Sequence, residues 1–269
     1  MIKRIASIAL TAFICIVHSI PFFVLINMAF KSPHDTSSKW ITPNYLDLEN
    51  FINAWQSAHL DRALRNTMII TSVSVCLAVI IGAIASYPLA RYRTRWTRFI
   101  SMLCIACMIV PSLTILVSLY NLVVTINGID AYWAIILLQV TFALPLTIFL
   151  YTNFLNTIPR ELDEAALIDG CNRFTAFTRV LLPLLKPVTA TVIILVGLAI
   201  WNDYQFSIFF LQNPEVQTVP VTLSGFFSQY QNNISWVAAG CLISMLPAVV
   251  LYLFLQRYFV KGLSEGVIK

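Results

Sequence analysis

Charge is what this sequence has least of. Only 11% of its 269 residues are Asp, Glu, Lys or Arg, while 59% are hydrophobic and the mean hydropathy is +0.81. A soluble domain of this length carries roughly twice that charged fraction. The surplus apolar surface must therefore face lipid. Other absences exclude chemistry. No G-x-x-x-x-G-K-[ST] occurs, so the chain has no phosphate-cradling loop of its own. Neither H-E-x-x-H nor G-x-S-x-G is present, which removes the metalloprotease and serine hydrolase readings. The three histidines have no clustered acidic or cysteine neighbours, and no metal site is expected. The six cysteines are scattered. Cys104 and Cys107 have CxxC spacing but stand among Ile, Ala and Met in an apolar run, as small packing residues do. No long basic surface interleaved with aromatics points to nucleic acid.

Long apolar runs are abundant. Six approach the ~20 residues needed to cross a ~30 Å core, at about 6–30, 66–90, 99–121, 132–155, 188–211 and 236–258. The first follows Lys3 and Arg4, as the core of a signal peptide would, but at about 25 residues it is too long for that and no A-x-A-like cleavage site is apparent. The expectation is one all-α polytopic transmembrane domain over 1–269. Pro21, Pro88, Pro111, Pro145 and Pro247 lie inside these runs and predict local breaks, which neighbouring helices can satisfy.

The basic residues orient the bundle. One set of flanking segments holds Lys3 and Arg4; Arg91, Arg93, Arg95 and Arg98; Arg160, Arg173, Arg179 and Lys186; and Arg257, Lys261 and Lys269. That is thirteen of the 17. The other set holds Lys31, Lys39, Arg62 and Arg65, all in the first long loop, and the loops at 122–131 and 212–235 have none. The positive-inside rule then puts both termini and the 156–187 loop in the cytoplasm. Trp96, Trp133 and Trp236 fall at expected helix ends, where interfacial anchors belong.

Residues 161–187, ELDEAALIDGCNRFTAFTRVLLPLLKP, are the longest polar stretch in the second half of the chain. They read as helix, turn, helix. Pro159 suits a first helical position, and Glu161, Asp163 and Glu164 put negative charge at the positive end of the helix dipole. Ala165, Ala166 and Leu167 are strong helix formers. Gly170 suits the left-handed residue that ends a helix. A second helix is expected from about Asn172 to Leu182, limited by Pro183 and Pro187. Ala165, Ala166 and Gly170 would leave a bare face that another surface can approach closely. From these residues alone, the stretch is a cytoplasmic loop hairpin.

The same stretch resembles the EAA loop of the membrane subunits of ABC importers. Glu164-Ala165-Ala166, Gly170, Val180 and Leu182-Pro183 stand at that family's spacing, with Asp169 before the glycine and Pro187 after. The resemblance implies the type I ABC importer fold, six transmembrane helices around a permease core at about 62–258, with a cytoplasmic coupling loop at 156–187. It implies that Glu164, Ala165, Ala166, Asp169, Gly170, Leu182 and Pro183 couple this chain to an ATPase. ATP and Mg would then be used by the partner subunits, this chain carrying no cofactor and no catalytic residue. Further pieces resemble the sugar-importing branch: Asn66-Thr67, Ile109-Val110-Pro111-Ser112, Ala143-Leu144-Pro145, Trp201-Asn202-Asp203-Tyr204, Thr218-Val219-Pro220-Val221 and Gln256-Arg257-Tyr258-Phe259-Val260-Lys261-Gly262-Leu263. They look most like the second permease of a maltose-type or oligosaccharide pair. That implies a homologous second permease, two copies of a cytoplasmic ATPase, an extracytoplasmic sugar-binding protein, a bacterial-type inner membrane, and a short tail, 261–269, reaching towards the ATPase pair.

Other readings stand beside this one. The solute could be another small polar molecule. A secondary transporter would need buried ionisable residues and an internal repeat, but the expected spans hold one acidic residue, Asp203, and no repeat is evident. A membrane enzyme would need paired polar groups within the spans. The outer loop 31–65, with Trp40, Tyr45, Phe51 and Trp55, reads as a short helix that either anchors at the interface or docks a binding protein. Asn202, Asp203, Tyr204 and Gln205, on the expected fifth helix, either line a substrate path or serve as a cap with an aromatic anchor.

Overall fold

The computed structural model describes the backbone of residues 2–230 and 233–267, with the side chains of residues 4, 6–230 and 233–257. All regular structure among them is helical. In chain order the helices are α1 (Ile2–Ala29), α2 (Glu49–Ser57), α3 (Leu60–Arg91), α4 (Arg95–Ile109), α5 (Leu116–Thr125), α6 (Tyr132–Thr157), α7 (Glu161–Ile168), α8 (Arg173–Thr175), α9 (Leu182–Leu184), α10 (Lys186–Trp201), α11 (Ser207–Phe210), α12 (Val219–Gln229) and α13 (Ile234–Val267). A 3₁₀ turn, Ser112–Ile115, precedes α5, and a π-helical turn, Ala176–Leu181, joins α8 to α9.

Among the described residues, four helices are long and apolar enough to cross a membrane: Ala6–Ala29, Leu60–Arg91, Tyr132–Thr157 and Ile234–Arg257. Two bent pairs also qualify if each counts as one span, Arg95–Ile109 with Ser112–Thr125 at 90° and Arg173–Leu184 with Lys186–Trp201 at 72°. The run expected at 99–121 is thus not straight. Pro111 lacks the N–H to continue a helix, and Val110 before it is extended, at φ −73° and ψ 120°. Breaks were also expected at Pro21, Pro88, Pro145 and Pro247, but α1, α3, α6 and α13 run through them. The run expected at 188–211 ends as a helix at Trp201. The tail continues α13 as far as Val267, since extending a formed helix costs far less than nucleating one. Its reach towards a partner concerns side chains outside the described residues.

The chain divides into two compact units: Met1–Leu64 with Val219–Leu246, and Arg65–Thr218 with Pro247–Lys269. In the first, Ala29, Ala54, Ala58, Leu60, Phe226, Val237, Ala238 and Ala239 form the core. Phe226, Tyr230 and Trp236 stack in sequence, with ring centroids 4.7 and 5.5 Å apart. α2 carries the outer loop's expected short helix, burying Asn50 and Ala54 and exposing Ile52 and Trp55. The Asn50 amide donates to the carbonyls of Ala29 and Lys31 at 3.0 and 2.9 Å, closing the end of α1. The Lys31 ammonium donates to Ser38 and Ser37 carbonyls at 2.8 and 3.2 Å, folding the loop onto itself.

In the second unit α3, α6 and α10 enclose a core that includes Ile70, Ala78, Ile135, Tyr151, Leu155, Leu181, Val192 and Phe210. A methyl group at Gly82 would overlap the Thr147 side chain, so the bare backbone lets α3 and α6 approach. Hydroxyls within the apolar helices bond back to their own turn, as Thr11 to Ser7 O, Ser101 to Thr97 O and the buried Thr147 to Ala143 O, which leaves no free hydroxyl donor at those positions. By contrast α4 buries no residue. Cys104 and Cys107, expected as packing residues, are therefore half-exposed and exposed.

Candidate functional site

The polar hairpin between α6 and α10 is fastened to the second unit by one buried charge pair. Arg91, the last residue of α3, places its Nε 2.9 Å from Asp163 Oδ2, with the two side chains only 7% and 12% exposed. Tyr87, one turn earlier on α3, donates its hydroxyl to Asp163 Oδ1 at 3.1 Å. The same guanidinium donates to the carbonyls of Leu155 and Ile158 at 2.9 and 3.2 Å, satisfying the end of α6. Arg173 donates to the Tyr92 hydroxyl and lies over its ring, 5.1 Å from the centroid. Tyr87 and Phe177 pack with centroids 5.2 Å apart. Two charges this deep roughly break even against desolvation, but either one alone would be costly. From sequence, Asp163 was read only as a dipole charge and Arg91 only as a topology signal. Their pairing spans most of three helices, and no local pattern announces it.

That fastening fixes which face of α7 is free. Pro159 lies before the helix and Arg160 is its N-cap, so the proline stands two residues ahead of the first helical position rather than at it. Ala166 turns inward and is buried, whereas Glu164, Ala165 and Asp169 are exposed, so the expected bare face is divided between the two sides of the helix. The helix ends as expected at Gly170, whose φ is +85°. Gly170 N donates to Leu167 O at 3.1 Å and Cys171 N to Ala166 O at 3.0 Å, the paired bonds of a left-handed C-cap. Nothing lies within 4 Å of where a Cβ would stand, so backbone conformation, not crowding, favours glycine there. The second arm starts at Asn172, whose side chain accepts from Thr175 N at 2.8 Å. Ile168 and Phe174 are 86% and 73% exposed on this otherwise polar hairpin. Leu182 and Pro183 line a different surface, a cleft of about 550 Å³ at the 72° bend, with Tyr151, Lys186 and Thr189.

The tetrad expected on a fifth helix lies elsewhere than a helix face. Asn202 caps the C-terminus of α10, and its amide donates to Leu198 O at 2.8 Å. Asp203 accepts from Phe206 N at 3.2 Å, Ser207 N at 3.0 Å and Ser207 Oγ at 2.8 Å, fixing the turn into α11. Gln205 Nε2 donates to Ser112 Oγ at 2.9 Å, tying this turn to the break after Pro111. Asn202 and Tyr204 are exposed; Asp203 and Gln205 are half-buried. The helical arc expected for Asn202, Asp203 and Gln205 therefore does not form. Nearby, Asn66 is fully buried. Its amide donates to Glu215 O and Gln217 O, each at 3.0 Å, and its Oδ1 accepts from Tyr132 at 2.7 Å. It anchors the loop before α12, a task the pair Asn66-Thr67 does not disclose in sequence.

Long apolar helices, two bent pairs among them, and a fastened polar hairpin with exposed apolar tips are the features of a polytopic membrane protein. Residues 78–265 match the family of binding-protein-dependent transport system inner membrane components, and the chain belongs to that family. It is 46% identical over 261 residues to the melibiose/raffinose/stachyose import permease protein MelC of Bacillus subtilis (strain 168), covering 97% of this chain and 95% of that one. It is 30% identical over 275 residues to the maltodextrin transport system permease protein MdxG of the same organism, covering 99% and 96%. Among solved structures, a chain of a bacterial ABC transporter involved in import of the acidic polysaccharide alginate matches with a TM-score of 0.81 at 20% identity, covering 96% of each chain. The fold is thus that of an ABC importer permease.

Proposed function

We propose that this chain is the translocating subunit of an ATP-driven importer for a sugar or oligosaccharide delivered by an extracytoplasmic binding protein. The observation that carries this reading is the 46% identity over 97% of the chain to a melibiose/raffinose/stachyose import permease. The hairpin geometry supports a coupling role. Glu164, Ala165, Asp169 and the apolar Ile168 and Phe174 form the exposed surface, and Arg91 with Asp163 makes it rigid enough to transmit force. Its occupant is a cytoplasmic ATPase that supplies the ATP and Mg chemistry, two copies serving this chain and a homologous second permease. Both termini and the hairpin lie in the cytoplasm. The substrate path runs past the turn 202–205, where Asn202 and Tyr204 are exposed. Asp203 shapes that turn, and Gln205 ties it to Ser112.

The test is uptake by vesicles containing this chain, its second permease, the ATPase and the binding protein. Labelled raffinose should accumulate with ATP, and unlabelled melibiose should compete. No ATP-dependent uptake of any oligosaccharide offered would sink the carbohydrate reading. Orientation is checked separately, in a background without native cysteines. Thr94→Cys and Asn172→Cys should react only with membrane-permeant reagents, and Asn213→Cys should also react with impermeant ones.

A further inference from the structure

The start of α4 carries charge that the chain itself leaves unanswered. Arg93, Arg95 and Arg98 line a cleft of about 270 Å³ together with Thr94, Phe99 and Met102. All three arginines are exposed. Among the described residues none of these guanidinia has a hydrogen-bond or ion-pair partner, whereas their neighbours Arg91 and Arg173 are both engaged. Residues 62–129 contain no Asp or Glu, and Asp163, in the adjoining cleft, is committed to Arg91. Among the described residues no carboxylate of this chain pairs with them, so their charge is open to a partner.

The stripe has a second property. Arg95, Arg98, Phe99 and Met102 stand at i, i+3, i+4 and i+7 of a 15-residue helix, hence on one face. Read along that face, two guanidinia give way to two exposed apolar side chains, and α4 buries no residue. An acidic protein surface or a free anion would need only the charged end. A molecule with an anionic head and a hydrocarbon body needs both, in this order. The guanidinium fork matches phosphate oxygens in pairs. The N-terminus of α4 adds its dipole to the same field, and the Thr94–Thr97 capping box holds that first turn in place.

We propose that this face binds an anionic phospholipid, with its phosphate on Arg93, Arg95 and Arg98 and an acyl chain along Phe99 and Met102. Given the cytoplasmic orientation proposed above, the lipid belongs to the inner leaflet, whose negative surface potential favours such basic segments.

The test uses the assembled complex purified in mixed micelles of phosphatidylcholine and phosphatidylglycerol, with retained lipid measured by mass spectrometry. The parent complex should retain phosphatidylglycerol preferentially. Arg95→Gln with Arg98→Gln should lower that retention roughly thirtyfold, at unchanged phosphatidylcholine. Phe99→Ser with Met102→Ser, which keeps the charges, should lower it as well. Unchanged retention in the arginine variant overturns the proposal. Unchanged retention in the Phe99 and Met102 variant overturns it in favour of bare phosphate binding. Loss of the ATPase from the arginine variant, at unchanged lipid retention, assigns the arginines to a protein contact instead. Should the double arginine variant not assemble, Arg98→Gln alone, expected to lower retention about fivefold, replaces it. Retention in micelles does not depend on orientation, so labelling of Thr94→Cys from outside would overturn the leaflet and leave the binding result standing.

Discussion

Asp163 and Asp203 are half-buried carboxylates of the same compact unit, and each is engaged, yet their partners come from different places. Asp163 takes a hydroxyl from Tyr87, 76 residues upstream, and the guanidinium of Arg91. Asp203 takes two backbone amides and a hydroxyl from within four residues. The first fastens one helix to another and sets which side of a hairpin is free. The second shapes a single turn. Two carboxylates that look alike in composition therefore differ in what their loss would undo.

Breaking the fastening should produce the largest effect. Arg91→Ala or Asp163→Ala leaves an unpaired buried charge, at a cost of about 3–5 kcal/mol, concentrated on the hairpin. Amide exchange over 161–171 should accelerate steeply and ATP hydrolysis stimulated by the binding protein should be lost, with membrane insertion retained. Replacing both residues by Met and Leu should recover much of the exchange protection. Parent-like exchange in either single variant would show that the pair does not hold the hairpin.

Next come changes on the free side. Gly170→Val forces a β-branched residue into a left-handed backbone, costing about 1–2 kcal/mol. Glu164→Lys reverses an exposed charge at little cost to folding. Both should abolish stimulated hydrolysis or ATPase attachment while the protein inserts normally. Stimulated hydrolysis at the parent level in both would exclude the coupling role.

The smallest effects belong to the turn. Asp203→Ala should cost about 1 kcal/mol, as loss of a cap does, seen as a slightly lower Tm. Asp203→Asn keeps an acceptor and should cost less. Asn202→Ala and Gln205→Ala each lose one hydrogen bond, about 0.5–1.5 kcal/mol. If the substrate passes here, the exposed Asn202 should alter the preference among sugars while Asp203→Asn does not. Unchanged preference in Asn202→Ala and Gln205→Ala would remove this turn from the path.

The same contrast separates what could be read from the sequence from what could not. The left-handed end of α7 at Gly170, the cap at Asn172 and the short outer helix are local, set by a few neighbouring side chains, and the residues announce them. The end of α10 is local too, but apolar residues continue through Leu211 on the far side, and a hydropathy run cannot register a turn made by Asn202 and Asp203. Five prolines looked equivalent. Pro111 breaks its helix, while Pro145 is carried by an α6 that buries nine residues and Pro21 by an α1 whose apolar span is unburied, so neither the proline nor the packing around it decides alone. Arg91 with Asp163, and Asn66 with Glu215 and Gln217, are contacts between distant parts of the chain. A single sequence gives no sign of them.

The discontinuity of the first unit has a consequence for biosynthesis. Its core draws Ala29, Ala54 and Leu60 from the start of the chain and Phe226 and Val237 from beyond residue 218. At about 5–20 residues per second of synthesis, the early part waits roughly 8–30 s for the segment that completes it. During that interval α1 has emerged with almost no protein surface to pack against, and Asn50 and Lys31 can close the outer loop before any aromatic ring from α12 arrives. Translation speed through the intervening residues therefore sets how long the first unit stays without the second half of its core.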